Sequence, residues 1–303
     1  MLRPAARARI AVGDTTVTYL PDGVGWALPE AFFPGSDWSR YADQLDERGR
    51  FPVSIGSFLI RTGGRSILVD LGLGAVDFSI PNAVWFTGGG LPAALAAEGL
   101  TPAAIDTVVF THLHHDHVGW TSDVAPSPGV PAGTVARGLT FPVARHLVTE
   151  AEWQHWTAAP GFPGPDDAAV LQPLREVVEF VADGDEIAPG VRVLATPGHT
   201  PGHISLSVTD PAGAGDDGPR VLVLGDVMHC RVQVAESGWT FRFDVDPVQG
   251  SATRERLLKE LEDGRTVLAG GHFADHVFGR VLPPRSLRAW QDGRSGARRT
   301  TEW

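Results

Sequence analysis

Apolar residues along this chain fall in short runs broken by glycine, proline and charge. Phe58-Leu59-Ile60 and Ile67-Leu68-Val69 are separated by Arg61-Thr62-Gly63-Gly64-Arg65-Ser66. Gly-Gly between two β-rich runs predicts a hairpin. Residues 91–98 are Ala-rich, with Pro92 near the start and Gly99 just beyond, which predicts a short helix. Residues 107–110 read as a short buried strand that leads straight into a histidine cluster. Further on, 139–148 reads as strand, and Thr149 stands where a cap would open a helix carrying Trp153 and Trp156. Strands are predicted at 191–195, 204–208, 221–224 and 266–269. The strongest helix is 246–262, with Pro247 in its first turn and Gly264 past its end. There is no internal repeat and no clear linker. Strands outnumber helices, yet helices fall between groups of strands. That order predicts two sheets covered by helices, in one compact domain over 1–303.

Composition narrows the partners more than the fold. The chain of 303 residues is 43% hydrophobic and 20% charged. That is enough apolar material for a sizeable core. The 36 Gly and 24 Pro are spread rather than pooled, so many turns are expected and no disordered tract. A formal net charge of -11 argues against a phosphate backbone as partner, so no nucleic acid is expected. The single cysteine, Cys230, rules out an internal disulfide and a Cys-based zinc site. Residues 1–10 carry Arg3, Arg7 and Arg9 without a following apolar stretch. No apolar run reaches the length needed to span a bilayer, roughly 18 residues. The expectation is a cytoplasmic protein with no membrane partner. A small-molecule substrate is expected, and a homodimer is left open.

The chemistry concentrates in Thr111-His112-Leu113-His114-His115-Asp116-His117. Imidazole nitrogen and carboxylate oxygen both suit a borderline divalent cation such as zinc. A tight loop after strand 107–110 points His112 and His114 one way and Asp116 and His117 toward a second position. The alternative for this run is a polar, solvated loop. Three further motifs weigh against it: Thr196-Pro197-Gly198-His199-Thr200-Pro201-Gly202-His203, Gly225-Asp226 and Gly270-Gly271-His272, each just after a predicted strand. Singly each is weak, since a lone His is usually an ordinary residue and Gly-Asp a plain turn. Their order and shared strand-end location make them strong together.

Taken in sequence, His112-x-His114-x-Asp116-His117, His199, Asp226 and His272 resemble the metallo-β-lactamase superfamily, over about 57–272. Val69-Asp70-Leu71-Gly72 resembles that family's early strand-end Asp-x-Gly element. The resemblance implies an α+β fold, an αββα sandwich of two mostly antiparallel sheets flanked by helices, with N- and C-terminal extensions packed on the core. It implies two divalent metal ions, with zinc expected and Mn, Fe or Co as alternatives. His112, His114 and His199 would bind the first; Asp116, His117 and His272 the second; Asp226 would bridge them. Gly225-Asp226-Val227-Met228-His229 with Phe243-Asp244-Val245-Asp246-Pro247 looks most like the branch of methyl-parathion-hydrolase-like enzymes and related lactonases. Acyl-homoserine lactonases of the family often carry Tyr three residues after the bridging Asp; that position here is His229.

The implied activity is hydrolysis of a small ester, lactone or phosphotriester by a metal-bridging hydroxide, with cations about 3.5–4 Å apart. Asp116 and His229 are the candidate catalytic residues, His229 as a hydrogen-bond donor to substrate. Alternatives are a β-lactamase-type amide hydrolase and an iron-dependent persulfide dioxygenase or oxidoreductase of the same fold. Asp70 is either a carboxylate behind a ligand histidine or a turn cap. His203 is read as structural, His115 as solvated or lying behind the ligands, and Cys230 as a small apolar residue rather than a nucleophile. Trp85, Phe86, Trp120, Trp153, Trp156 and Trp239 are candidates for an apolar pocket wall, with core packing the favoured role for any one of them.

Overall fold

A computed structural model describes residues 2–125, 133–213, 218–262, 264–284 and 286–293. The strands are β1 (Ala8–Val12), β2 (Thr15–Ala27), β3 (Phe51–Thr62), β4 (Arg65–Val69), β5 (Asp77–Ile80), β6 (Val84–Thr87), β7 (Thr107–Val109), β8 (Arg145–Thr149), β9 (Val178–Val181), β10 (Glu186–Ala188), β11 (Val191–Ala195), β12 (Ile204–Thr209), β13 (Arg220–Val223), β14 (Thr266–Ala269), β15 (Phe278–Leu282) and β16 (Ala289–Asp292). The helices are α1 (Pro29–Phe32), α2 (Leu91–Ala97), α3 (Glu150–Ala158), α4 (Gln172–Leu174), α5 (Val232–Ala235) and α6 (Pro247–Leu261). One sheet runs β5-β6-β2-β3-β4-β7-β8-β9, with β1 added beside the first half of β2; the other runs β10 to β16 in chain order. Each sheet is mixed: β4, β7, β8 and β9 pair in parallel, as do β13 and β14, and the remaining pairs are antiparallel.

The period-two alternation of the strands builds four layers. Ile67 and Val69 on β4 point inward to pack with Val193, Leu206 and Val223 of the other sheet, while Leu68 between them faces outward against α2 and its neighbours. On the second sheet Leu222 and Leu268 turn outward onto Leu257, Leu258 and Leu261 of α6. Each such fully buried side chain contributes about 1.5–3 kcal/mol over leaving it exposed. The result is the αββα sandwich.

The Gly63-Gly64 hairpin pairs Phe58 with Val69, as its sequence predicts. Thr149 caps α3 by accepting from the Glu152 N–H, and Asp246 caps α6 through the Gln249 N–H. The strand predicted at 139–148 is shorter than its apolar content suggests: only Arg145–Thr149 joins a sheet, while Leu139 makes an isolated bridge to Ser122 and, with Phe141, packs into the core. The segment before the matched motifs, 1–56, supplies β1, β2 and the first half of β3, so β2 is an interior strand. Of the C-terminal stretch, 294–303 lies outside the described residues.

Two buried carboxylates fasten the loops. Asp22 accepts from the backbone N–H groups of Leu73, Gly74 and Leu91 and from the Trp120 indole. Glu152 accepts from the N–H of Leu113 at 3.0 Å and of Gly202 at 3.1 Å and from the Trp156 indole at 2.8 Å. It therefore ties the loop carrying His112 and His114 to the loop carrying His199. Glu152→Ala orphans these buried donors and is expected to cost about 2–4 kcal/mol of stability by urea denaturation, with Glu152→Gln milder because it keeps one acceptor. An Ala variant within about 0.5 kcal/mol of wild type, the usual range of a surface change, would show that the loops hold themselves.

Candidate metal centre

All the predicted ligand positions lie beyond the C-terminal ends of strands. His112, His114, Asp116 and His117 follow β7, His199 follows β11, Asp226 follows β13 and His272 follows β14. The turn at Gly225 needs glycine twice over. Its φ is 60°, and a Cβ there would stand 2.5 Å from Nε2 of His203. That nitrogen accepts the Asp226 backbone N–H at 2.8 Å, so His203 is structural, as expected: it aims the Asp226 main chain.

The structure brings the predicted donors together. His112, His114 and His199 form one cluster with ligand atoms within 4.8 Å of one another; Asp116, His117 and His272 form a second. Asp226 lies between them. Its Oδ2 is 3.7 Å from Nε2 of His112, 3.5 Å from that of His199 and 3.1 Å from that of His272, while its Oδ1 is 3.3 Å from Nε2 of His117. His229 joins this centre, with Nε2 3.2 Å from Oδ2 of Asp226 and its ring stacked on Phe241 at 3.5 Å.

Behind four of the imidazoles stands an anchor. Nδ1 of His117 bonds Asp70 at 2.9 Å, Nδ1 of His199 bonds Asp244 at 2.9 Å, and Nδ1 of His272 donates to the Ser54 carbonyl at 2.7 Å. Nδ1 of His112 meets Thr111 Oγ1 at 3.0 Å, and that hydroxyl donates to Asp70. These partners put the outer proton on Nδ1 and aim the Nε2 lone pairs inward, the arrangement that orients metal-binding imidazoles. His114 is turned the other way, with Nδ1 2.9 Å from Nε2 of His199. Asp70 therefore acts through His117 rather than as a plain turn residue, and it holds a φ of 60° to do so. From sequence Asp244 stands out only within the stretch 243–247, and nothing there assigns it to His199, 45 positions away.

In the cluster of His112, His114 and His199 the electrostatics fit a cation. Burial, reinforced by neighbouring imidazoles, pushes His112, His114 and His199 well below the usual histidine range, so they are neutral donors of lone pairs. Burial also disfavours charge on His117, but Asp226, Asp70 and Asp116 overcome it and raise His117 well above that range. Burial would raise Asp116, yet His117, His115 and His272 hold it at about 2. The Nε2 atom of His112 is buried with no hydrogen-bond partner. Buried ring nitrogens this close repel one another unless a positive ion lies among them, and the His/Asp donor set is that of zinc-type cations.

The centre opens into a cavity of about 470 Å³. Its walls are phenylalanines, among them Phe32, Phe86, Phe162, Phe241 and Phe243, with Arg242 and Glu30 also lining it. Of the aromatic residues proposed from sequence only Phe86 lines it. Three of the five tryptophans lie elsewhere with their indole N–H groups on carboxylates: Trp120 on Asp22, Trp156 on Glu152, and Trp85 on Asp77 at the surface. His115 is not solvated. It is 5% exposed and lines the cavity with Phe86 and Phe162, and burial lowers its pKa. Cys230 is buried, and burial pushes its thiol up to about 12, which removes it as a nucleophile.

A helix–sheet–sheet–helix sandwich with two adjoining His/Asp clusters at one sheet edge defines a class of metal-site proteins. The family model of the metallo-beta-lactamase superfamily matches residues 50–272, and the chain belongs to that superfamily. Its relatives include the Beta-lactamase-like protein 2 homolog of Drosophila melanogaster, 30% identical over 154 residues that cover 51% of this chain and 43% of that protein. A Hydroxyacylglutathione hydrolase of Cupriavidus metallidurans is 29% identical over 208 residues, covering 65% of this chain and 61% of that protein. The chain thus spans about two fifths to three fifths of these relatives' length. Among solved structures, the hydrolase AbOPH superposes with a TM-score of 0.75 at 25% identity over 95% of this chain and 97% of that one. AidC, a dizinc quorum-quenching lactonase in complex with N-hexnoyl-L-homoserine, superposes with a TM-score of 0.74 at 19% identity, covering 95% and 97%. Among the described residues no helix is long and apolar enough to cross a membrane.

Asp244→Ala is expected to weaken binding of one cation, the one at His199, by about 10- to 100-fold while leaving the other, since His199 alone loses its anchor. Competition against a chromophoric chelator reads this directly. Two affinities unchanged from wild type would make Asp244 a loop residue only.

Proposed function

We propose that this protein is a two-metal hydrolase of small, largely apolar esters, lactones or phosphotriesters. The observation that carries the reading is Asp226, one carboxylate set between two separate donor clusters. His112, His114 and His199 would hold one divalent ion and Asp116, His117 and His272 the other, with Asp226 shared. When bound, two such ions supply a water-derived nucleophile near neutral pH and polarise the bond to be broken. Zinc suits the donors, with Mn, Fe and Co as alternatives.

The chain's own residues do the rest. Asp70, Asp244, Thr111 and the Ser54 carbonyl fix the ring orientations. The phenylalanine walls exclude water and hold an apolar body beside the centre. His229, with its ring pinned on Phe241, presents a nitrogen beside Asp226 where substrate charge develops. A lactone or ester reading agrees with the lactonase AidC among the structural neighbours, and hydrolysis in general with the hydrolase AbOPH. The cavity takes a small molecule; a cytoplasmic location and self-association are further expectations of this reading.

Elemental analysis of protein purified without chelator is expected to give two metals per chain, and the loaded enzyme to turn over at least one class in a panel of lactones, aryl esters, phosphotriesters and β-lactams. A firm value of one, unchanged by added zinc or manganese, would instead favour a mononuclear dioxygenase. His229→Ala is expected to keep both metals and lower kcat by about 10²–10³, the typical cost of one donor to a developing oxyanion. His229→Tyr should recover part of this on lactones. Loss of a metal in His229→Ala would place His229 among the ligands, and wild-type kcat on every class would remove it from the site.

A further inference from the structure

The cavity beside the centre has one arginine or lysine among its lining residues, Arg242. Among the described residues this guanidinium has no carboxylate partner and meets main-chain carbonyls instead. Its Nε donates to the Ala31 carbonyl at 2.6 Å and its Nη2 to the Glu30 carbonyl at 3.3 Å. Its backbone N–H donates to the Phe32 carbonyl at 2.8 Å. Outside the metal centre the one carboxylate that lines the cavity is that of Glu30, and it is turned back onto the Gly35 N–H at 3.1 Å. A guanidinium offers its N–H groups along two edges. The edge of Nε and Nη2 faces the carbonyls of α1. The end edge, of Nη1 and the second Nη2 hydrogen, has no partner in the protein, and this is a planar fork that matches a carboxylate.

Holding α1 requires a donor but no charge, so the latch alone does not explain a cation here. Its place does. Arg242 stands between Phe241 and Phe243, which both line the cavity, and is itself exposed. Phe241 stacks on His229 at the centre, whereas the Arg242 side chain reaches α1 at the rim. An apolar arm that runs from the centre along these phenyl rings ends beside the guanidinium. We propose that Arg242 is a specificity-determining residue that takes a carboxylate at the end of the substrate's arm remote from the bond to be hydrolysed. The preferred substrates are then amphiphilic ω-carboxyalkyl esters or lactones rather than fully neutral ones. This rests on the hydrolase reading above and narrows its substrate class. At the rim the carboxylate keeps part of its hydration, so desolvation offsets little of the attraction. The guanidinium is already held by two carbonyls, so binding costs it little side-chain freedom.

The test compares two 4-nitrophenyl esters of the suberic chain, one ending in a free carboxylate and one in the neutral primary carboxamide, on metal-loaded wild type, Arg242→Gln and Arg242→Lys. Wild type is expected to prefer the carboxylate by about fivefold in kcat/KM, carried by KM and fading at high salt. Arg242→Gln keeps a donor for the α1 carbonyls but no charge, and should bring the ratio near one. Arg242→Lys, which restores the charge without the fork, should recover part of it. The corresponding methyl ketones, 9-oxodecanoate and 9-oxodecanamide, have no bond to hydrolyse, and calorimetric binding to them reads the preference without turnover. If wild type hydrolyses neither ester yet binds the carboxylate ketone about fivefold more tightly, and Arg242→Gln abolishes that, the reaction class is wrong and the role of Arg242 stands. A wild-type ratio near one overturns the inference, as does a preference that survives in Arg242→Gln, which would place the carboxylate elsewhere, the metal ions included. So does a protein that neither hydrolyses either ester nor binds either ketone.

Discussion

The structure is organised around one electrostatic problem: the carboxylate of Asp226 lies within 3.7 Å of ring nitrogens from His112, His117, His199, His229 and His272, all of them buried. Five imidazoles and a carboxylate taken out of water are costly unless their polar atoms find partners. The inner nitrogens would face the ions proposed above. Four of the outer ones have partners in the protein: Asp70, Asp244 and Ser54 from far along the chain, and Thr111 next to its own ring, His112. The outer nitrogen of His229 has none. The site accordingly lies where the loops after β4, β7, β11, β13 and β14 meet.

That requirement also explains what was readable in the sequence. Ligands must come in short loops aimed at one point, directly after buried strands. They therefore leave a dense local signature: the fold was legible, and the seven positions proposed as ligands are ones the structure brings together. The partners behind them need no local pattern. Asp244 anchors His199 across a separation of 45 in sequence, and Ser54 anchors His272 through a backbone carbonyl that any residue would supply. The N-terminal strand β2 was hidden because Pro21-Asp22-Gly23 reads as a turn. In the fold it is a bulge inside a strand of 13 residues, with register slipping between Pro21 and Gly23. The interval 139–148 misled in the opposite direction. Its buried apolar residues belong to a loop that packs into the core, and period alone does not separate that from a strand.

The pocket walls show a further limit of reading by residue type. Tryptophan and phenylalanine are equally good candidates by hydrophobicity, but the indole must place its N–H. In this fold carboxylates at Asp22 and Glu152 accept indole protons and draw Trp120 and Trp156 away from the cavity into the helix-covered layer. The cavity wall is left mainly to phenylalanines, which have no N–H to place.

The same logic extends to how long loops are kept still beside the centre. Their backbones carry unpaired N–H and C=O groups that no sheet satisfies. Here buried charges collect them by sign. Asp22 and Glu152 gather N–H groups from the loops around Leu73 and Leu113. Arg254 on α6, 1% exposed, does the converse: it donates to the carbonyls of Val227, Ser237 and Trp239. Burial lowers its pKa, but Asp244 nearby favours the charged form. A guanidinium with several donors in a rigid fork can close three carbonyls at once, which a lysine cannot do with the same geometry. It thereby fixes the segment 227–239 that carries His229, and it lies electrostatically close to Asp244, the carboxylate that anchors His199.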